Sequence, residues 1–318
     1  RARACRDLVR AVLPALADDR LDALVERAEG NPFFLEELVR VEAGGAVSEG
    51  AAPRTVLAAV QARLDHLGDD AKRVLRAASV FGESFSRAGV EALLDERLRP
   101  DVQGWLDLLC ERELVLPRER KRTTSASPRA DDEPSSRWVF RHALVRDAAY
   151  DTLTEGDRRV GHRLAGELLE RMGERDGAVL AGHFERAGEH VRAARQLGVA
   201  AEQALEAVDY EGAFEHCRRA EALGASGEEL GLLRLIECKA RNWRREWQLA
   251  QRAAEEATRL VAGDARAEAL DNLAIALGHQ QLFDEFRSAF TRLEALEGEV
   301  DERAWARSIL RVVGYFLH

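Results

Sequence analysis

Apolar residues in the first part of the chain fall at Leu8, Val9, Val12, Leu13 and Leu16, then at Leu21, Leu24 and Val25. Steps of three and four predict two short helices, with Asp18 or Asp19 capping the second. A third helix is predicted from Phe33 through Leu38 and Val39, and Gly44-Gly45 with Ser48-Glu49-Gly50 mark a loop after it. Between the second and third helices stands Gly30-Asn31-Pro32. Glycine takes the left-handed conformation that closes a helix, and proline, with fixed φ and no donor, suits the first turn of the next. The tripeptide therefore predicts a rigid elbow that holds Pro32 and Phe33 in place. Two uses are open: a helix corner whose aromatics are core, or a ledge on which a flat apolar group such as a nucleobase rests. The unit 1–48 is too short to bury a sizeable core and is expected to lean on a neighbour.

Over 49–173 the pattern changes. Val56, Leu57, Val60, Leu64 and Leu67 make one amphipathic helix, and Gly68-Asp69-Asp70 restarts another through Val74, Leu75, Ala78, Val80 and Phe81. Gly82-Glu83-Ser84-Phe85-Ser86 predicts a turn ending in an N-cap before Val90, Leu93 and Leu94, and a further helix is predicted over 101–113. Residues 114–116 and 138–140 read as two short strands around a polar insert at about 118–137. Helices followed by a two-stranded ribbon are the order of a winged helix-turn-helix. The insert begins Arg118-Glu119-Arg120-Lys121-Arg122 and continues in Thr, Ser, Pro and Asp, so it is expected to be a flexible wing tip. Two more helices, 143–153 and 157–172, close the unit.

From 174 to 318 helix follows helix, and a repeat emerges. Tyr210 through Ala220 overlays Trp243 through Ala253 at an offset of 33, and a third copy opens at Phe283, 40 residues later, with Phe286, Phe290 and Leu293 in matching places. Each copy sets an aromatic at a helix start, small or apolar residues at helical spacing after it, and another helix before it. Antiparallel helix pairs at about 34-residue spacing define a tetratricopeptide-like solenoid, here with degenerate repeats and room for about three pairs. The fold class expected is mainly α: a small helical domain, a winged helix with a short β-ribbon, then an α-solenoid.

Composition adds exclusions. With 46% hydrophobic and 33% charged residues over 318 positions, the balance is that of a soluble globular protein of two or three domains. The net charge of −10 opposes chain-wide attraction to nucleic acid or anionic membrane. Cys5, Cys110, Cys217 and Cys238 are scattered without CxxC spacing, as expected of free thiols in a reducing, cytoplasmic setting. No apolar run reaches the roughly 18 residues of a membrane helix. The chain opens on Arg1 and closes after Val312-Val313-Gly314-Tyr315-Phe316, and it is expected to be a piece of a longer one.

Catalytic signatures are missing from the sequence: no GxxxxGK[ST] loop, no GxSxG, no HExxH and no metal spacing of Cys and His. No catalytic or metal residue is assigned. The helix 101–113, which would enter a major groove, carries Asp101, Asp107, Glu111 and Glu113 against Arg112 alone, so DNA reading is disfavoured. Arg141 and His142 stand where the second strand meets the next helix, whose N-terminal N–H groups favour anions. Either they meet a phosphate there, or His142 merely caps or packs.

Taken together, the stretches GNPFFLEEL at 30–38 and FRHALVRDAAYDTL at 140–153, an acidic winged helix and a helical-repeat array resemble one family. The chain resembles the C-terminal part of STAND-class signalling ATPases of the AAA+ superfamily, in particular the bacterial type fused to Ser/Thr kinases, nucleotide cyclases or LuxR-type regulators. The likeness covers about residues 1–172 well and the repeats more loosely. It implies that Pro32, in the elbow with Gly30, Asn31 and Phe33, lies against the adenine of ATP or ADP. It also implies that a winged-helix histidine, here His142 beside Arg141, reaches the β-phosphate, although no Met-His-Asp triplet is present. The Walker motifs that hold phosphates and Mg are expected upstream of Arg1, so this portion alone is expected not to bind nucleotide tightly. The resemblance further implies an ATPase core in the same parent chain, an unknown protein or small ligand on the repeats, and nucleotide-dependent self-association. Two other readings stay open: a free-standing tetratricopeptide-like interaction scaffold, and a transcriptional regulator using the winged helix.

Overall fold

The computed structural model describes residues 2–28, 30–43, 55–118 and 137–316. It divides the chain into two compact units, Arg1–Ala165 and Gly166–His318. Among the described residues there are seventeen α-helices and one small antiparallel sheet, a mainly α architecture with consecutive packed helix pairs.

The first unit opens with α1 (Ala2–Val12), α2 (Asp18–Ala28) and α3 (Pro32–Ala43). Asp18 and Asp19 lie inside the first turn of α2, where they complement the helix dipole. Leu21 and Leu24 of α2 and Phe34, Leu35 and Leu38 of α3 close over Val9 of α1. Gly30 has φ +77, the left-handed value the elbow demands, and a Cβ there would meet no atom within 4 Å. Backbone conformation, not space, thus selects glycine. The Asn31 side chain accepts hydrogen bonds from the N–H groups of Phe33 (3.1 Å) and Phe34 (3.3 Å), so α3 is capped by the elbow itself.

The second core of this unit gathers α4 (Val56–Asp65), α5 (Asp69–Val80), α6 (Arg87–Leu93), α7 (Val102–Glu111), α8 (Ala143–Asp151) and the sheet. A single 3-10 turn, Arg99–Asp101, precedes α7, so the helix predicted over 101–113 is shorter than expected. The sheet has three strands, not two: β1 (Ser84–Ser86), β2 (Val115–Pro117) and β3 (Arg137–Phe140), in the order β1-β3-β2. Phe85 pairs with Trp138, and Leu116 with Val139. The turn expected at 82–86 is therefore partly strand. Its Ser86 still caps α6, accepting from the Gly89 N–H at 2.9 Å. The expected wing tip falls almost wholly at 119–136, outside the described residues. Next comes α9 (Glu155–Arg171).

The second unit contains α10 (Gly177–Ala187), α11 (His190–Glu206), α12 (Tyr210–Ala222), α13 (Gly227–Trp243), α14 (Trp247–Leu260), α15 (Gly263–His279), α16 (Phe283–Glu294) and α17 (Glu302–Phe316). Pairs α11/α12, α13/α14 and α15/α16 are each joined by a three-residue turn. The second helices start at Tyr210, Trp247 and Phe283, so the intervals are 37 and 36 residues, and the offsets of 33 and 40 are corrected. Trp243, used for the earlier overlay, instead ends α13. In each turn one residue is left-handed: Val208 (φ 62), Arg245 (φ 61) and Gln281 (φ 60). The N–H after each donates to a carbonyl five residues back, as in Asp209 to Ala204 (2.8 Å), Glu246 to Arg241 (2.9 Å) and Leu282 to Leu277 (3.1 Å). This is the Schellman closure, which satisfies carbonyls left over at a helix end. Small residues let the helices approach: a Cβ on Gly177 would lie 2.6 Å from the backbone of α11 at Gln196 and Ala200.

Candidate functional site

The elbow helix and the strand–helix junction meet in the first unit. Phe33 and Phe34, adjacent in sequence, enter different cores: Phe34 packs with Val9 and Leu21, and Phe33 joins Val60, Leu64 and Val145. Phe33 lies beneath His142, with ring centroids 4.1 Å apart at 41°. His142 is the N-cap residue of α8 with no side-chain capping bond, so its ring is spent on packing rather than on the helix end. Pro32, Asn31 and Gly30 are exposed at the rim, while Phe33 is buried.

Charges surround this contact. The His142 Nε2 stands 4.0 Å from a Glu36 carboxylate oxygen. Arg141 pairs with Glu113 at 2.9 Å and approaches Glu36 at 3.7 Å. Behind them Glu37, only 2% exposed, takes guanidinium groups from Arg63 (2.7 Å) and Arg40 (2.6 Å). Arg40 also pairs with Glu113, and Arg63 donates to the carbonyl of Arg112. Glu113 itself is held in the left-handed region, φ 55, where the chain turns from α7 into β2. Three arginines and three glutamates from α3, α4 and both ends of the ribbon thus converge on one side of the Phe33–His142 contact.

The electrostatics follow from burial. Burial lowers the His142 pKa below its ordinary value, with Glu36 opposing, so the imidazole is neutral at pH 7. For Glu113, burial works to raise the pKa, but the hydrogen bond from Arg141 with Arg40 and Arg63 nearby prevails and lowers it. An anion arriving at His142 would favour the imidazolium, so its binding would carry proton uptake. Arg141, however, is not an open cation; an incoming phosphate would have to displace or share it with Glu113 and Glu36.

The sequence singled out Gly30, Asn31, Pro32, Phe33, Arg141 and His142 as candidates, and the fold brings the two stretches together through Phe33 and His142. It did not reveal Glu36, Glu37, Arg63 and Glu113, the counter-charges that set their state. A Glu-Glu pair on α3 is an ordinary helix surface pattern, and nothing local shows that Glu37 faces inward toward Arg63. Elsewhere, His183 is buried and driven down to about 4, chiefly by burial. No group of three His, Cys, Asp or Glu side chains able to hold a metal ion occurs among the described residues. No described helix is long and apolar enough to cross a membrane.

No family model matches the chain. Over 187 residues, 55% of the chain, it is 29% identical to an uncharacterized protein of Rhizobium meliloti (strain 1021), with 17% of that protein covered. Among solved structures, it bears a weak resemblance to a Signal Transduction ATPase with Numerous Domains (STAND) protein with a tetratricopeptide repeat sensor from Pyrococcus horikoshii. The TM-score is 0.35 and the identity 10%, over 100% of this chain and 57% of that one. The chain thus spans less than two thirds of the length of either protein.

Proposed function

We propose that the chain is the regulatory and sensing portion of a nucleotide-dependent signalling switch of the STAND type. In this reading the elbow and the α8 junction form one wall of an ATP/ADP site. The repeats receive a protein or small ligand, and a Walker-type core elsewhere in the parent chain supplies the phosphate loop and Mg. The reading is carried by the Phe33–His142 contact, 4.1 Å between rings, which joins the two stretches that resemble the family most. Pro32 would offer its exposed face to the base. Neutral His142 would take a proton as a phosphate approaches, and Arg141 would exchange Glu113 for that phosphate. Ligand on the repeats would favour one arrangement of the switch over the other only through contacts that differ between the two states.

The test is nucleotide binding by a longer version of the chain that includes the upstream region. Pro32→Ala and His142→Ala are each expected to weaken ADP binding about tenfold or more, with His142→Ala also flattening its pH dependence between 5 and 8. Unchanged affinity in both variants overturns the site assignment. It would favour the second reading, a repeat scaffold in which this corner is structural, for which the burial of Phe33 and the pairing of Arg141 with Glu113 already speak.

A further inference from the structure

The second unit holds an open-mouthed pocket of about 780 Å³ lined by α11, α13, α15 and α17. One repeat position, the same place in α11, α13 and α15, supplies a residue to it from each: Gly198, Leu235 and Asp271, at steps of 37 and 36. Leu235 is 3% exposed, so an apolar side chain serves the packing at this position. One step on, Asp271 is 0% exposed. A buried carboxylate where the repeat accepts leucine costs stability and is not required by the fold.

Its compensation is partial. Arg311 of α17 reaches Asp271 at 3.2 Å, the Asn272 amide donates to it at 2.8 Å, and Ser308 adds a hydrogen bond. Even so, burial raises its pKa to about 7 against the pull of Arg311. Arg311 is 41% exposed and is shared with Glu268 at 3.9 Å, while Lys239 is spent on Glu268 at 2.6 Å. Acidic side chains outnumber basic ones seven to four around the lining, and Glu202, Glu228 and Glu229 make no ion pair among the described residues. Val199 and Leu232, 40% and 43% exposed, add apolar wall between the charges.

We propose that this pocket binds a small organic polycation, with ammonium or guanidinium groups on a short carbon chain, and that Asp271 anchors it. Arg311 occupies the anchor in the unliganded protein, as a tethered cation that the ligand displaces. The carbon chain lies on Val199 and Leu232, and further cationic groups meet the unpaired glutamates at the rim. The volume lies in the range of about 300–1,000 Å³ usual for small-ligand sites. A site for an anion would need the opposite charge balance. This deepens the sensing role proposed for the repeats, but the measurement that tests it does not involve nucleotide, so either reading can fail alone.

The experiment is calorimetric titration of the full 318-residue chain with spermidine as the probe, at low and at about physiological salt, with thermal melts of each variant as folding controls. Wild type is expected to bind one spermidine saturably at both salt concentrations. Asp271→Leu, which installs the residue the repeat uses at Leu235, is expected to bind at least tenfold more weakly while melting no lower than wild type. Arg311→Ala is expected to bind several-fold more tightly, because the built-in competitor is gone. Absence of saturable binding, equal affinity in wild type and Asp271→Leu, or weakening by Arg311→Ala overturns the proposal. Tighter binding of a Lys-rich peptide than of spermidine overturns the assignment to a small ligand.

Discussion

Glu37 and Asp271 are both buried carboxylates, and their surroundings separate them. Glu37 receives two guanidinium groups within 2.7 Å, from Arg63 and Arg40. Removing one partner of such a pair leaves the other charge stranded, which costs about 3–5 kcal/mol in buried settings. Arg63 is 13% exposed and cannot reach water freely, so Glu37→Gln is expected to lower the urea-unfolding free energy by about 3 kcal/mol. The double change Glu37→Leu with Arg63→Met removes both charges and is expected to cost less than Glu37→Gln alone. Asp271 predicts a pH dependence instead. Arg311 and Ser308 from α17, Glu268 and Asn272 from α15, and Lys239 with Cys238 from α13 face it. Its folded pKa, about 7, lies above the unfolded value near 4, so the neutral form is the one the fold tolerates. The stabilisation is complete below about pH 4 and is lost as pH rises through about 7. Melting midpoints of Asp271→Leu minus wild type are therefore expected to grow from pH 5 to pH 8; a flat difference would show that Arg311 compensates the charge fully.

At the scale of elements, helix ends organise both units. Gly30 was legible because glycine is the usual residue of a left-handed cap, and Asn31-Pro32 completes a start signal for α3. The three repeat turns use the same left-handed geometry with Val208, Arg245 and Gln281, none of which announces it, and that concealed the true register. Trp243 and Trp247 lie only a few residues apart on either side of the turn, so an aromatic overlay accepts either, and only the closure at Arg245 selects Trp247. The strand Ser84–Ser86 was hidden for a related reason: three residues, two of them polar, acquire strand character only from pairing with β3, far along the chain. The helices themselves were plain in the period of their apolar residues. The counter-charges of the site were not, because Glu37 to Arg63 and Glu113 to Arg141 are contacts made by tertiary structure. A β-branched residue is the least suited to a left-handed position. Val208→Gly is thus expected to raise the stability of the repeat unit by about 1 kcal/mol, the balance of relieved strain against chain entropy, read as a higher melting midpoint. The same change at Val261, an extended residue outside the three turns, is expected to be destabilising.

At the scale of the whole molecule, charge decides what a winged helix is for. The chain carries −10, and α7, the helix that would face a major groove, ends in Glu111 with Glu113 just beyond it. Glu113 is already engaged by Arg40 and Arg141, which turns two of the nearest cations inward toward protein rather than outward toward phosphate. Binding to duplex DNA gains its free energy from counterions released as Lys and Arg neutralise phosphates, so affinity falls steeply as salt rises. A surface with this balance offers few cations with which to neutralise phosphates. Fluorescence anisotropy with a labelled duplex at 50 mM salt is therefore expected to show no binding tighter than the roughly micromolar range of non-specific contacts, with a shallow salt slope. A tight complex whose affinity falls about a thousandfold between 50 and 200 mM salt would instead mean that six or more phosphates are contacted, and would return the winged helix to the DNA-reading class.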